Sequence, residues 1–196
     1  VVCPKEEGAT AARLLERRGG DGGYMVISLV DNIKGVSRRI ENLQMRKVWE
    51  VDREEVSAFH VHPKDIGAAI VSFDEMRPSD EWLWAGPGWR DRKSRHVGEI
   101  TAVDVQADDP EAIATKWAAA FDRNFHLEGE VLRMPLDDGE IRFVEAADGR
   151  GDGVAAVEFS VIDRSAILTA AENHQLSWSG NEITVCGTRF RFRDLG

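Results

Sequence analysis

The chain has 196 residues and a formal net charge of -10, with 42% hydrophobic and 31% charged residues, a size and composition that support a self-contained core. The acidic balance excludes a general nucleic-acid or anionic-membrane binder, because phosphate is repelled on average. No apolar run approaches the roughly 18–20 residues that span a bilayer. The two cysteines, Cys3 and Cys186, form no CxxC pair and follow no secretory signal, which points to free thiols in a cytoplasmic setting.

In chain order, "VVCP" and the helical stretch "ATAARLLERRGG" come first. Gly19-Gly20 supplies a C-cap, since glycine takes the left-handed conformation freely. Residues 1–22 read as the tail of an incomplete structural unit. The run "RRGGDGG" lacks the GxGxxG order and preceding strand of a phosphate cradle.

Residues 23–78 read as a full unit. A strand, "YMVISLV", precedes a helix with Ile33, Val36, Ile40 and Leu43 at helical spacing; the strands "KVWEVD", "SAFHVHP" and "GAAIVSFDE" follow. Residues 79–96 are rich in Trp, Pro and Gly and read as a connector pinned by aromatic packing. Residues 97–152 repeat the order, with Asp109 as N-cap before Pro110 and Ile113, Trp117 and Phe121 on one helix face. Residues 153–196 repeat it again, with only "EITVCG" and "TRFRFRD" evident after the helix, so this third unit reads as one strand short. A βαβββ unit has a sheet face that it cannot bury alone. The expectation is an α+β fold of repeated βαβββ units forming curved, paired mixed sheets. The odd unit predicts a homodimer, or a "VVCP" strand that extends a neighbouring sheet.

This repeat, with "ATAARLLERRGGDGGYMVISLVDNIKGV" and "FHVHPKDIGAAIVSF", resembles the vicinal oxygen chelate superfamily of glyoxalases, bleomycin-resistance proteins and extradiol dioxygenases. The hairpin motif is similar to the "HPKDTGG" type of the methylmalonyl-CoA epimerase branch. The resemblance implies a divalent metal held by a histidine opening a unit's first strand and a carboxylate near the end of its last strand. Here those positions fall on Met25 and Ser72, and the first-strand positions of the later units on Ala102 and Ala156. None is a good ligand for a hard divalent ion, so the implied ligand set is incomplete.

Glu145, near the end of "EIRFVEA", is the carboxylate expected at a ligand or catalytic position, directed into the concave pocket. His60 and His62, two apart before a turn, are read as structural, with a relocated metal pair as the sharper alternative. Asp104 and Glu158 alternate with apolar neighbours; each faces solvent or serves as a cavity carboxylate of raised pKa in a ligand pocket. Two functions follow from the resemblance. One is a superfamily enzyme, a lyase or isomerase, acting on a small carboxylic or acyl-thioester substrate. The other is a metal-free protein that sequesters a small ligand in the curved sheet.

Overall fold

The computed structural model describes residues 3–194. Helix α1 (Thr10–Arg18) stops at Gly19, which takes a left-handed φ of 65° and returns its N–H to the last turn. The stop is therefore the one the glycine pair implies. Val1 and Val2 of the expected "VVCP" strand lie outside the described residues, and Cys3 and Pro4 are not in a strand.

Three βαβββ units follow. The first comprises β1 (Met25–Leu29), α2 (Ile33–Asn42), β2 (Lys47–Asp52), β3 (Val56–Val61), the short α3 (Pro63–Ile66) and β4 (Ile70–Met76). The second comprises β5 (Val97–Ala107), α4 (Pro110–Phe121), β6 (His126–Glu128), β7 (Val131–Pro135) and β8 (Glu140–Glu145). The third comprises β9 (Gly153–Val161), α5 (Arg164–Asn173), β10 (Trp178–Ser179), β11 (Glu182–Val185) and β12 (Thr188–Asp194). The third unit thus has the fourth strand that its sequence does not announce. It is only two residues long, too short for a period-two pattern. Between the first two units, the connector forms two single turns of 3₁₀ helix at Leu83–Ala85 and Trp89–Arg92.

Helix starts obey local chemistry. Asn32, Asp109 and Asp163 each accept a backbone N–H from the first turn of their helices, at 2.9, 3.0 and 3.0 Å, which satisfies a donor that the helix itself cannot.

In every unit the first strand lies parallel to the last, β1 beside β4, β5 beside β8 and β9 beside β12. The second and third units join through their first strands, β5 antiparallel to β9, into one sheet ordered β10-β11-β12-β9-β5-β8-β7-β6. The first unit stands as a separate sheet ordered β1-β4-β3-β2. Its first strand, β1, is therefore an edge strand, where β5 and β9 cover each other.

The main core lies between the two sheets. Phe59, Val61 and Phe73 of the first unit pack with Val105, Trp117, Ile141 and Phe143 of the second. Trp117 is fully buried, lies parallel to Phe121 at 5.8 Å, meets Phe143 edge-on at 5.8 Å and donates its indole N–H to Gly67 O at 3.3 Å. The third unit has its own core of Val161, Ile167, Ala171, Ile183 and Phe192. Arg18 pins α1 to the β8–β9 loop by donating to Asp152 O at 2.7 Å. Burial, and then the neighbouring Arg150, hold its pKa below the ordinary value.

Trp117 is the contact through which the first two units share a core. Trp117→Ala should lower unfolding stability by about 3–5 kcal/mol, the usual cost of truncating a buried aromatic, read as a fall in the denaturant midpoint.

Candidate functional site

Strand alternation gives each sheet one face under the helices and one face away from them. On the four-stranded sheet, Ile27 and Leu29 of β1, Ser72 and Asp74 of β4 and His60 of β3 share the outer face, as their register pairings require. The connector covers part of it. Asp74 is buried and accepts from Ser72 Oγ and from Trp84 Nε1, both at 2.5 Å. The His60 ring lies 4.4 Å from the Trp49 ring.

The two histidines of the "FHVHPKDIG" stretch do different work. His62 caps α3, its Nδ1 accepting from Lys64 N at 3.0 Å, while His60 stays on the strand. Asp65 of the same stretch accepts from Arg46 Nη2 at 2.6 Å and from Arg46 N at 2.8 Å. That pairing holds its carboxyl well below the usual range. The passage is a braced hairpin in which the Nδ1 of His62 is already used by the Lys64 N–H.

On the outer face of the eight-stranded sheet, Asp104, Glu158, Arg142 and Arg191 come from four adjacent strands. Arg142 Nε donates to Asp104 Oδ1 at 2.7 Å and Arg142 Nη2 to Glu158 Oε2 at 3.2 Å. Arg191 Nη1 donates to the other Asp104 oxygen and Arg191 Nε to Glu182 Oε2 at 3.0 Å. Thr101 Oγ1 donates to Glu158 Oε1 at 2.9 Å. Glu140 joins on the far side, accepting from Arg133 at 2.5 Å. The Asp104 side chain is only 2% exposed. Burial opposes the charge on Arg191, and the Asp104 and Glu182 carboxylates outweigh it, holding its pKa above the ordinary value.

Asp104 and Glu158 are therefore neither solvated nor cavity carboxylates: both are held in ion pairs on the outer face of the sheet, and neither lines the groove along β1. Glu145 is corrected outright: it lies exposed at the end of β8, outside the largest pocket. Alternation explains this, since Glu145 shares the helix-side face with Ile141 and Phe143 and projects past the core they fill. Arg142 and Arg191 were not singled out from sequence. Their partners are set by strand pairing, and "EIRFVE" and "TRFRFRD" alone read as solvated charge.

The largest pocket, about 860 Å³, is a groove along β1. Met25, Ile27, Leu29, Val36, Phe73, Ile100, Phe121, Val154 and Val157 supply apolar wall. Asp31, Asn32, Arg39, Asp122, Arg123, Asp137, Asp138 and Glu140 supply polar wall. Arg39 pairs with Asp122 at 3.1 Å and Arg123 with Asp137 at 2.6 Å, so acid is in excess.

The residues present do not fit the divalent ion that the resemblance implies. Met25, Ala102 and Ala156 offer no hard ligand. Among the described residues, no three His, Cys, Asp or Glu side chains gather to hold a metal.

No protein-family model and no curated protein matches the chain. Solved structures do. A hypothetical protein from Staphylococcus aureus has a TM-score of 0.66 at 16% identity over 95% of this chain and 71% of its own. A mutant 4-hydroxymandelate synthase from Streptomyces coelicolor has 0.60 at 16% identity over 90% and 59%. The Mn(II)-bound glyoxalase from Novosphingobium aromaticivorans has 0.60 at 7% identity over 87% and 62%. The chain thus spans about three fifths to seven tenths of the length of these structures. Its fold is the mixed α+β architecture with curved mixed sheets that it shares with these structures. No helix among the described residues is long and apolar enough to cross a membrane.

Burial holds the His60 pKa below 6.5, against the opposing charge of Asp74. A depressed histidine pKa contributes stability that is full above the unfolded value of about 6.5 and is lost as pH falls below it. Asp74→Asn should lower the His60 titration midpoint further, followed by NMR of the imidazole protons; a rise would contradict the assignment of Asp74 as the opposing charge.

Proposed function

We propose that the chain is a metal-independent small-molecule-binding protein on the vicinal oxygen chelate fold, its ligand seated in the groove along β1. The groove carries the reading: a concave, largely apolar hollow of about 860 Å³ falls in the ordinary range for small-molecule sites. The arginine-filled outer face of the eight-stranded sheet supports it from the other side, because no ligand set for a hard ion remains there. The braced "HPKDIG" hairpin supports kinship of scaffold with the epimerase branch and leaves the epimerase's chemistry aside. With Glu145 exposed, the enzyme reading has no carboxylate at the expected place.

Excess acid at the groove selects against a carboxylate ligand and for an apolar, uncharged or cationic one. Nile red, a neutral apolar dye, should bind saturably at one site per chain. Leu29→Glu should weaken it about tenfold or more, since a leucine-sized contact is worth about 1.5–3 kcal/mol. Decanol should displace the dye better than decanoate at neutral pH. Unsaturable dye binding, or binding indifferent to Leu29→Glu, would remove the groove as the site.

The same reading has the chain assemble as a homodimer. The support is the open edge of β1, beside which Ile27 and Leu29 stand 43% and 53% exposed; equivalent first strands in the other sheet cover each other. Light scattering should give twice the chain mass at micromolar concentration, and a charged substitution at Ile27 should halve it. A monomer throughout would refute this assembly.

A further inference from the structure

Three glycine-bearing loops meet at the C-terminal end of α1: the "RRGGDGG" run of residues 17–23, the β8–β9 loop at residues 149–153 and the β11–β12 turn at Gly187. Two arginines bind them together. Arg18 Nη1 donates to the carbonyls of Asp152, Gly151 and Arg150 at 2.7, 3.4 and 3.5 Å. Arg150 in return donates Nε to Arg18 O at 3.2 Å, Nη1 to Gly187 O at 3.0 Å and Nη2 to Asp21 O. The glycines make room for this, since a Cβ at Gly153 would collide with Arg18 Nη1 and one at Gly187 with Asp21 O.

The network uses only one side of the Arg18 guanidinium. The side chain is 1% exposed, yet its Nε and Nη2 have no hydrogen-bond partner among the described residues. These two nitrogens form an edge with which arginine grips two oxygens of one oxyanion at once. Asp148 does not fill it. Its Oδ1 is taken by Gln106 Nε2 at 2.6 Å and Arg150 N at 2.9 Å, which leaves Oδ2 3.8 Å from Arg18 Nη2, beyond hydrogen-bond length. Burying donors without partners is costly, so the edge calls for an acceptor. Gly22 shows where one fits. A Cβ there would stand 3.1 Å from Arg18 Nε and 3.1 Å from Arg150 Nη2, hydrogen-bond distance from a nitrogen of each guanidinium. Gly22 is only partly buried, which gives the spot a way in from solvent.

We propose that the Arg18 Nε–Nη2 edge, with Gly22 opposite it, is a binding site for a small oxyanion, a carboxylate or phosphate group. Arg18 supplies the N–H donors, and Arg150 adds charge, its own donors being held by carbonyls. The chain's net charge of -10 repels anions on average, but the local balance is different. Two guanidiniums meet one carboxylate, Asp148, while Arg17 and Asp152 act on Arg18 in opposite senses. The site lies apart from the groove along β1, which none of Arg18, Gly22 and Arg150 lines. It therefore stands independently of the small-molecule reading above.

The test uses the full chain in a chloride buffer free of oxyanions. It is titrated with sodium phosphate and with sodium acetate, each against sodium chloride at equal ionic strength, while NMR follows the arginine Nε–H signals. In wild type at least one of the two oxyanions should shift the Arg18 signal saturably, with a Kd on the order of 1 mM. The tighter of the two identifies the group. Chloride, a single atom that cannot span both donors, should give no saturable shift. Gly22→Ala sets a methyl in the spot without a left-handed backbone and should raise the Kd about tenfold or more. Arg17→Ala removes an exposed charge of the same run and should change it less than about twofold. The wild-type titration decides by itself if Gly22→Ala does not fold, because the largest shift must fall on Arg18. No saturable shift with either oxyanion, an equal response to chloride, a larger shift at another arginine, or a Kd that Gly22→Ala leaves unchanged would overturn the site. So would a loss in Arg17→Ala as large as that in Gly22→Ala.

Discussion

The antiparallel pairing of β5 with β9 is the constraint on which the rest of the molecule depends. It joins two units that could not bury their sheet faces separately into one eight-stranded sheet. It also fixes which side chains meet at the seam. Because the register matches Asp104 to Ala156 and Ala102 to Glu158, a carboxylate and an alanine alternate on each side. A slip of one residue in either strand would turn that strand's carboxylate to the helix face, where Val105 and Ile141 form core.

That face shows why buried charge and stability are separate questions. Removing four ionised side chains from water is costly, and their mutual attraction offsets the cost only if each has good partners. Here Asp104 has a guanidinium on each oxygen, and Glu158 has one guanidinium and one hydroxyl. The arrangement favours one strand register over its neighbours, since any slip would strand an aspartate away from both arginines. The four-stranded sheet solves the corresponding problem with neutral groups, Ser72 and the Trp84 indole on Asp74. That is why the Trp-rich connector folds back over that sheet.

A shared fold is compatible with different chemistry, because function resides in particular side chains placed on it. The matching glyoxalase is described as Mn(II)-bound, and the positions that the resemblance implies for ligands in the present chain carry methionine, serine and alanine at Met25, Ser72, Ala102 and Ala156. What the two share is the overall fold, at a TM-score of 0.60. The groove along β1 depends on the edge position of β1, the C-terminal end of α4 and the Asp137-Asp138-Gly139 turn.

The sequence by itself determined the local structure. Asp109 before Pro110, the Gly19-Gly20 stop, the spacing of Ile113, Trp117 and Phe121, and the β-branched and aliphatic run of β1 all act over a few residues, so they are legible in one dimension. The threefold βαβββ order and the weakness of Met25, Ser72, Ala102 and Ala156 as ligands were legible for the same reason. Only the tertiary structure decided which first strands pair, that β10 exists as two residues, that Glu145 projects past the core into solvent, and that Arg142 and Arg191 lie across Asp104. An arginine in "EIRFVE" reads as surface until a strand 38 residues earlier in the chain presents a carboxylate to it. Cross-strand partners are set by sheet register, and register is settled by burial of whole faces at once, which no short stretch of sequence contains.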